Sequence, residues 1–232
     1  MAANISRRGS SWSKPVSTTI LPNSPPLRES AGDPFAGIDL FRLFALCFGQ
    51  PSQELFAWLS GNDSRALWNQ VARHLGTDLN LSRQHQFPDF SAYEAAYIAL
   101  FEVGVPEPPV PLLESAHSKR AVPQEIVLDC VNFYDVLELR PSGTAFPADH
   151  LVTQLEFLAA VRFLRDNNPG AENADSLRAL ECDFIERHLL SWLPAAEEKL
   201  CQLHPPIFPT LFALLTVYLK REASSGTVTE CD

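Results

Sequence analysis

Apolar side chains return every three or four residues along most of this chain, the spacing that gathers them on one face of a helix. In 35–48, Ile38, Phe41, Leu43, Phe44, Leu46, Cys47 and Phe48 make a broad apolar face. Asp33-Pro34 opens that run as N-cap and first helical residue, and Gly49 closes it. Pro51 opens a second helix bearing Leu55, Phe56 and Leu59, and a third near 63–75 carries Leu67, Trp68, Val71 and Leu75. Phe90 to Glu102 is a fourth, with Tyr93, Ala96, Tyr97, Leu100 and Phe101 along one side.

The pattern then breaks. "VGVPEPPVPLLES", residues 103–115, sets four prolines in thirteen positions. Missing backbone donors forbid a regular helix there and predict an extended, stiff connector. Helical period resumes at about 122–138, 148–167, 173–190, 191–203 and 206–222, with "DNNPG", "WLP" and Pro205-Pro206 as punctuation. No strand-like alternation is sustained and no internal repeat occurs. The remaining connections are short, which favours antiparallel neighbours in one unit. The expected fold is therefore all-α: a single multi-helix bundle with a proline-rich connector between two helical halves. Residues 1–33, rich in Ser and Pro, read as a flexible tail, 34–223 as the helical domain and 224–232 as a disordered C-terminal tail.

Composition narrows what such a bundle does. Hydrophobic residues are 46% and charged residues 20% of the 232, enough for a sizeable core. The net charge of −10, from 28 acidic against 18 basic residues, disfavours a nucleic-acid binder and permits a cationic partner. No apolar run reaches the ~18–20 residues of a membrane span, so no membrane insertion is expected. Arg7-Arg8 resembles the start of an export signal, but Gly9, Ser10, Ser11 and Ser13 follow where an apolar segment is required. Cys47, Cys130, Cys182, Cys201 and Cys231 are odd in number and scattered, the pattern of reduced thiols in a cytoplasmic protein.

The candidate chemistry begins at "FPADHLVTQLEFLAAVRFL", residues 146–164, where Asp149 and His150 stand at the head of a greasy helix. The plain reading is a helix cap beside a half-buried imidazole. The functional one is a polar doorway onto an apolar groove. Helical spacing groups Asp149 with Thr153 and Glu156, and His150 with Gln154 and Phe157. Catalysis finds little support. Ser115 lacks a GxSxG elbow, and the six histidines form no HExxH. Cys201 with His204, and Cys182 with His188, complete no four-ligand zinc set, and no glycine-rich phosphate loop occurs. The expectation is no catalytic residue, no metal and no cofactor. Two further stretches matter. "EPPVPLLES" (107–115) is either a rigid surface turn or the wall of a groove. "DFIERHLLSWLPAAEEKL" (183–200) spaces Phe184, His188, Leu189 and Trp192 along one face, mostly as core packing.

As an ordered set, "VPEPPVPLLESAH", "VNFYDVLEL", "FPADHLVTQLEFLAAVRFL" and "FIERHLLSWLPAAEEKL" resemble the TorD/DmsD/NarJ family of redox-enzyme maturation chaperones. The resemblance spans about residues 35–222. It is nearest to the delta-subunit chaperones of periplasmic molybdenum dehydrogenases and reductases. Departures are Ala195-Ala196, where an aromatic often follows the proline, and the lack of a glycine common in "YDVLEL". The resemblance implies a non-enzymatic, cytoplasmic chaperone, monomeric or dimeric. Its partners would be the apo catalytic subunit of a molybdopterin oxidoreductase and that subunit's twin-arginine leader. Carried over by motif, the client-binding patch would comprise Pro108, Pro111, Glu114, Ser115, Asp149 and His150, with Glu156 added from the helical spacing. The alternative is a stable, non-catalytic structural subunit of a redox complex.

Overall fold

The structure is a computed structural model that describes residues 39–79, 81, 86–118, 122–139, 146–167 and 170–224. The proposed tails, the Asp33-Pro34 helix start, Arg7-Arg8 and His85 lie outside the described residues, except Ser224, which is the last residue of the final helix rather than part of a tail.

Among the described residues ten α-helices follow one another: α1 Leu40–Cys47, α2 Gln53–Leu59, α3 Asn62–His74, α4 Phe90–Tyr97, α5 Glu114–His117, α6 Pro123–Val136, α7 Leu151–Asn167, α8 Ala171–Phe184, α9 Leu193–Leu203 and α10 Phe208–Ser224. Two end in a π-helical turn, α4 through Ile98–Glu102 and α8 through Ile185–Leu189. No β-strand occurs among the described residues, so the all-α expectation holds. The caps are local and legible. Asp39 Oδ1 accepts from the backbone N–H groups of Phe41 and Arg42, Ser52 Oγ from Leu55, and Asp89 Oδ1 from Ala92.

The core is built around α7, which packs against α1 and α8 and buries Leu151, Val152, Leu155, Phe157, Leu158, Ala159 and Val161. Losing one of those large side chains, as in Leu155→Ala, removes about 2–5 kcal/mol through lost transfer energy and the cavity left behind. At one end Phe44, Phe48, Trp68, Tyr93, Tyr97, Phe208 and Phe212 form an aromatic cluster, and the Tyr97 hydroxyl donates to the Phe48 carbonyl at 2.9 Å. Toward the other, Phe133, Tyr134, Phe157 and Phe184 stack edge and face beneath α6.

The proline stretch is irregular, as its composition demands, but it is more than a spacer. Val110 and Leu112 are buried in the core. The Val110 N–H donates to the Leu100 carbonyl, and the Leu112 carbonyl accepts from the Leu151 N–H, both at 2.9 Å. At Gly104 the chain turns so tightly that a Cβ would sit 2.2 Å from the Glu107 carbonyl oxygen, a space only glycine fits. Two boundaries differ from the periodicity. The end of "PLLES" is helical, as α5. Helix α7 starts at Leu151 rather than 148, because the residues before it are bonded to this stretch.

Candidate functional site

Leu112–Ser115 and Asp149–Leu151 lie antiparallel and exchange backbone bonds. The Glu114 N–H donates to the Asp149 carbonyl at 3.0 Å, and Leu113 bridges His150. The Ser115 N–H then donates to Asp149 Oδ2 at 3.1 Å. Asp149 is therefore a cap, but of α5 rather than of its own helix. His150 takes that second role, with Nδ1 accepting from the Val152 N–H at 3.2 Å. Its ring stacks on Phe146 with centroids 4.0 Å apart, and burial pulls its pKa down to about 4. The imidazole is neutral near pH 7, with its proton on Nε2. The Tyr134 hydroxyl donates to the Ala148 carbonyl at 2.6 Å and ties α6 to the same corner.

Behind this seam lies a polar cluster drawn from four elements. Glu114 of α5 is 5% exposed. Its Oε2 accepts from Gln154 Nε2 of α7 at 2.6 Å and stands 3.0 Å from His188 Nδ1 in the π-helical turn. The Cys130 thiol of α6 points at the same oxygen from 3.8 Å and lies 3.5 Å from His188 Nδ1. Burial, with the Glu114 charge beside it, pushes the Cys130 thiol well above its ordinary pKa. His188 lies within the π-helical turn, where the extra residue per turn shifts the register of the side chains, and it is buried. Nearby His117 Nε2 lies 2.7 Å from the Pro111 carbonyl, and its ring stacks on Trp192 at 4.9 Å. Burial lowers the His117 pKa, opposed by that carbonyl.

Glu114 and His188 of the cluster border an open cavity of about 400 Å³ whose other lining residues are Glu125, Ile126, Leu128, Asp129, Asn132 and Arg187. Arg187 Nη2 pairs with Asp129 Oδ2 at 2.7 Å on its rim. Along α6 lies a second open hollow of about 480 Å³ lined by Pro123, Gln124, Val127, Leu128 and Val131. Leu128 stands between the two and is 59% exposed.

The structure brings Pro111, Glu114, Ser115, Asp149 and His150 together around this seam. Pro108 is half-buried farther up the proline stretch, and Glu156 faces solvent on α7, its charged neighbour being Arg42 of α1. Two expectations change. Asp149, expected as a cap of its own helix or a polar doorway onto a groove, is 1% exposed and committed to the Ser115 N–H. The acidic groups at the cavity mouth are Glu125 and Asp129. Cys130 and Gln154 were not singled out as site residues, and His188 was read beside core positions. Their spacing carries no signal, since Glu114 lies 40 residues from Gln154 and 74 from His188.

The described residues form an all-helical domain whose separate motifs meet in one polar seam beside an open cavity. Residues 61–198 match the nitrate reductase delta subunit family model. The chain belongs to this family, of the NarJ/TorD type. It is 35% identical over 117 residues to the selenate reductase assembly chaperone protein of Thauera selenatis, covering 46% of this chain and 56% of that one. It is 32% identical over 114 residues to the chlorate reductase assembly chaperone protein of Ideonella dechloratans, with the same coverages. The chaperone protein TorD of Vibrio cholerae matches at 39% over 56 residues, 24% of this chain and 26% of that one. The chain thus spans about half the length of the first two relatives. A proposed redox enzyme maturation protein from Archaeoglobus fulgidus superposes with a TM-score of 0.48 at 20% identity, over 78% of this chain and 93% of that one.

Proposed function

We propose that this chain is a cytoplasmic, non-enzymatic chaperone. Its client would be the apo catalytic subunit of a molybdenum-cofactor oxidoreductase, held until its cofactor is in place and its export can proceed. The observation that carries the reading is the pairing of an acidic cavity with an exposed apolar strip along α6, both resting on the seam that joins the family's motifs. A twin-arginine leader offers the complement, a cationic start followed by an apolar run. Every 100 Å² of apolar surface removed from water contributes about 2.5 kcal/mol. An exposed Arg–carboxylate contact adds only ~0.2–1 kcal/mol. Val127, Leu128 and Val131 would therefore set affinity, while Glu125 and Asp129 set orientation and encounter rate. Pro108, Pro111, Glu114, Ser115, Asp149 and His150 act beneath that surface by fixing the position of α5 against α6 and α7. Glu156 belongs to a different face.

Affinity capture from cells making the cognate oxidoreductase tests the proposal. Recovery of the cofactor-free catalytic subunit supports it. Recovery of the cofactor-loaded enzyme alone, or co-migration of this chain with the mature exported complex, overturns it.

A further inference from the structure

The Glu114–Cys130–His188 cluster has a property that leader or client binding does not use. One ligating atom from each of the three side chains lies within 4.8 Å of the other two, and all three residues are buried. A tetrahedral zinc ion with bonds of about 2.0–2.3 Å to O, N and S places those ligand atoms about 3.4–3.6 Å apart. The separations here are 3.0 Å for Glu114 Oε2 to His188 Nδ1, 3.5 Å for Cys130 Sγ to the same nitrogen and 3.8 Å for Cys130 Sγ to the carboxylate oxygen. They depart from that tetrahedral edge by a few tenths of an ångström, within the play of three side chains.

As a hydrogen-bond network the cluster is incomplete. Three donors converge on Glu114 Oε2, while Gln154 Oε1 and His188 Nε2, both buried, have no hydrogen-bond partner. Those surroundings suit a metal. Gln154 Nε2 holds the ligating carboxylate at 2.6 Å, and Asp129 Oδ2 stands 3.4 Å from His188 Nε2, the position of a carboxylate that orients a metal-bound imidazole. The cavity reaches Glu114 and His188 from solvent and provides both an entry path and room for a water as fourth ligand.

We infer that Glu114, Cys130 and His188 form a three-ligand zinc site that opens into the cavity. Thiolate, imidazole and carboxylate together select a borderline divalent ion over magnesium or calcium. The Cys130 thiol releases its proton to solvent as the S–Zn bond forms. The imidazole proton moves to Nε2, toward Asp129, leaving Nδ1 to bind. One proton is released per ion, and thiolate plus carboxylate balance the 2+ charge, so the loaded cluster buries no net charge. The site stands independently of the client reading.

The test uses the full chain, stripped with a chelator and titrated with Co²⁺ by absorption and with Zn²⁺ against a chromophoric chelator. One equivalent should bind with a thiolate-to-cobalt charge-transfer band and tetrahedral d–d bands. Cys130→Ser should abolish the band, and Cys201→Ser should leave it intact. Asp129→Asn, a partly exposed change compatible with folding, should weaken Zn²⁺ about tenfold. Absence of the band from the folded wild-type chain, its survival in Cys130→Ser, its loss in Cys201→Ser, or unchanged Zn²⁺ affinity in Asp129→Asn each overturns the assignment.

Discussion

Of the three carboxylates buried among the described residues, Asp149 caps α5, and Glu114 and Glu181 are satisfied in opposite ways. Glu181 of α8 is wholly buried and meets three guanidinium groups, Arg162 at 2.5 Å, Arg165 at 2.6 Å and Arg178 at 3.3 Å. Glu222 of α10 joins through Arg162 at 2.5 Å and Arg178 at 3.2 Å, and Arg162 also donates to the Tyr218 hydroxyl. Arg162 further lies over the Phe41 ring, 4.5 Å from its centroid. That network clamps α7, α8 and α10 together, and its permanent cations leave the carboxylate nothing further to do. Glu114 is surrounded instead by an amide, an imidazole and a thiol, and it borders an open cavity. None of these partners is a permanent cation. A buried acid held by arginines is a strut, whereas one held by titratable or neutral donors keeps its chemistry available.

Breaking the strut should be the most damaging change. Glu181→Ala takes the shared partner from three half-buried arginines, of which Arg162 and Arg178 keep Glu222, and is expected to destabilise the fold by about 3–5 kcal/mol in urea unfolding. A loss under about 1 kcal/mol would show that the network is no more than a surface ion pair. Acid comes next. The folded pKa of His150 is lowered to about 4, from the ordinary value near 6.5. The unfolded chain therefore takes up a proton on His150 before the folded one does. Its contribution is complete above about pH 6.5 and fades as the pH falls toward 4, on the order of 3 kcal/mol in all. His117, also lowered by burial, acts in the same direction. Stability measured from pH 7 to 4 should fall less steeply in His150→Ala than in the parent.

At the other carboxylate the effect should be smaller. Glu114→Ala strips the acceptor from Gln154, Cys130 and His188, all of them able to remain neutral, and about 1–3 kcal/mol is expected. A loss matching that of Glu181→Ala would erase the contrast between the two sites. Asp149→Ala removes the cap on Ser115, worth about 0.5–2 kcal/mol, and chemical denaturation of that variant reads it directly. The smallest stability effect belongs to the cavity rim. Leu128→Asp should change stability by less than about 0.5 kcal/mol, because the side chain is mostly in water. It should nonetheless weaken client capture severalfold in a binding titration, and unchanged capture would remove α6 from the proposed interface.

Much of the bundle was written locally. Leu155, Leu158 and Phe157 repeat at helical spacing, and the prolines between Val105 and Leu112 break the pattern where the structure breaks it. These signals survive in sequence because caps, proline and periodicity act over four or five residues. The site was legible only as fragments. "PLLES" and "PADHL" stood out as motifs, yet nothing in either shows that Asp149 caps the other segment, or that His150 caps α7 in its place.

What the sequence determined alone was the class of fold, the order of its elements and the motif segments that mark the family. Tertiary structure decided which polar groups meet. Cys130 and Glu114 are 16 residues apart, Cys130 and His188 58 apart, and they touch because α6 and the π-helical turn after α8 cross beside α5. Helix formation is governed by neighbours in the chain. A buried cluster is governed by neighbours in space, and no periodicity in one dimension encodes them.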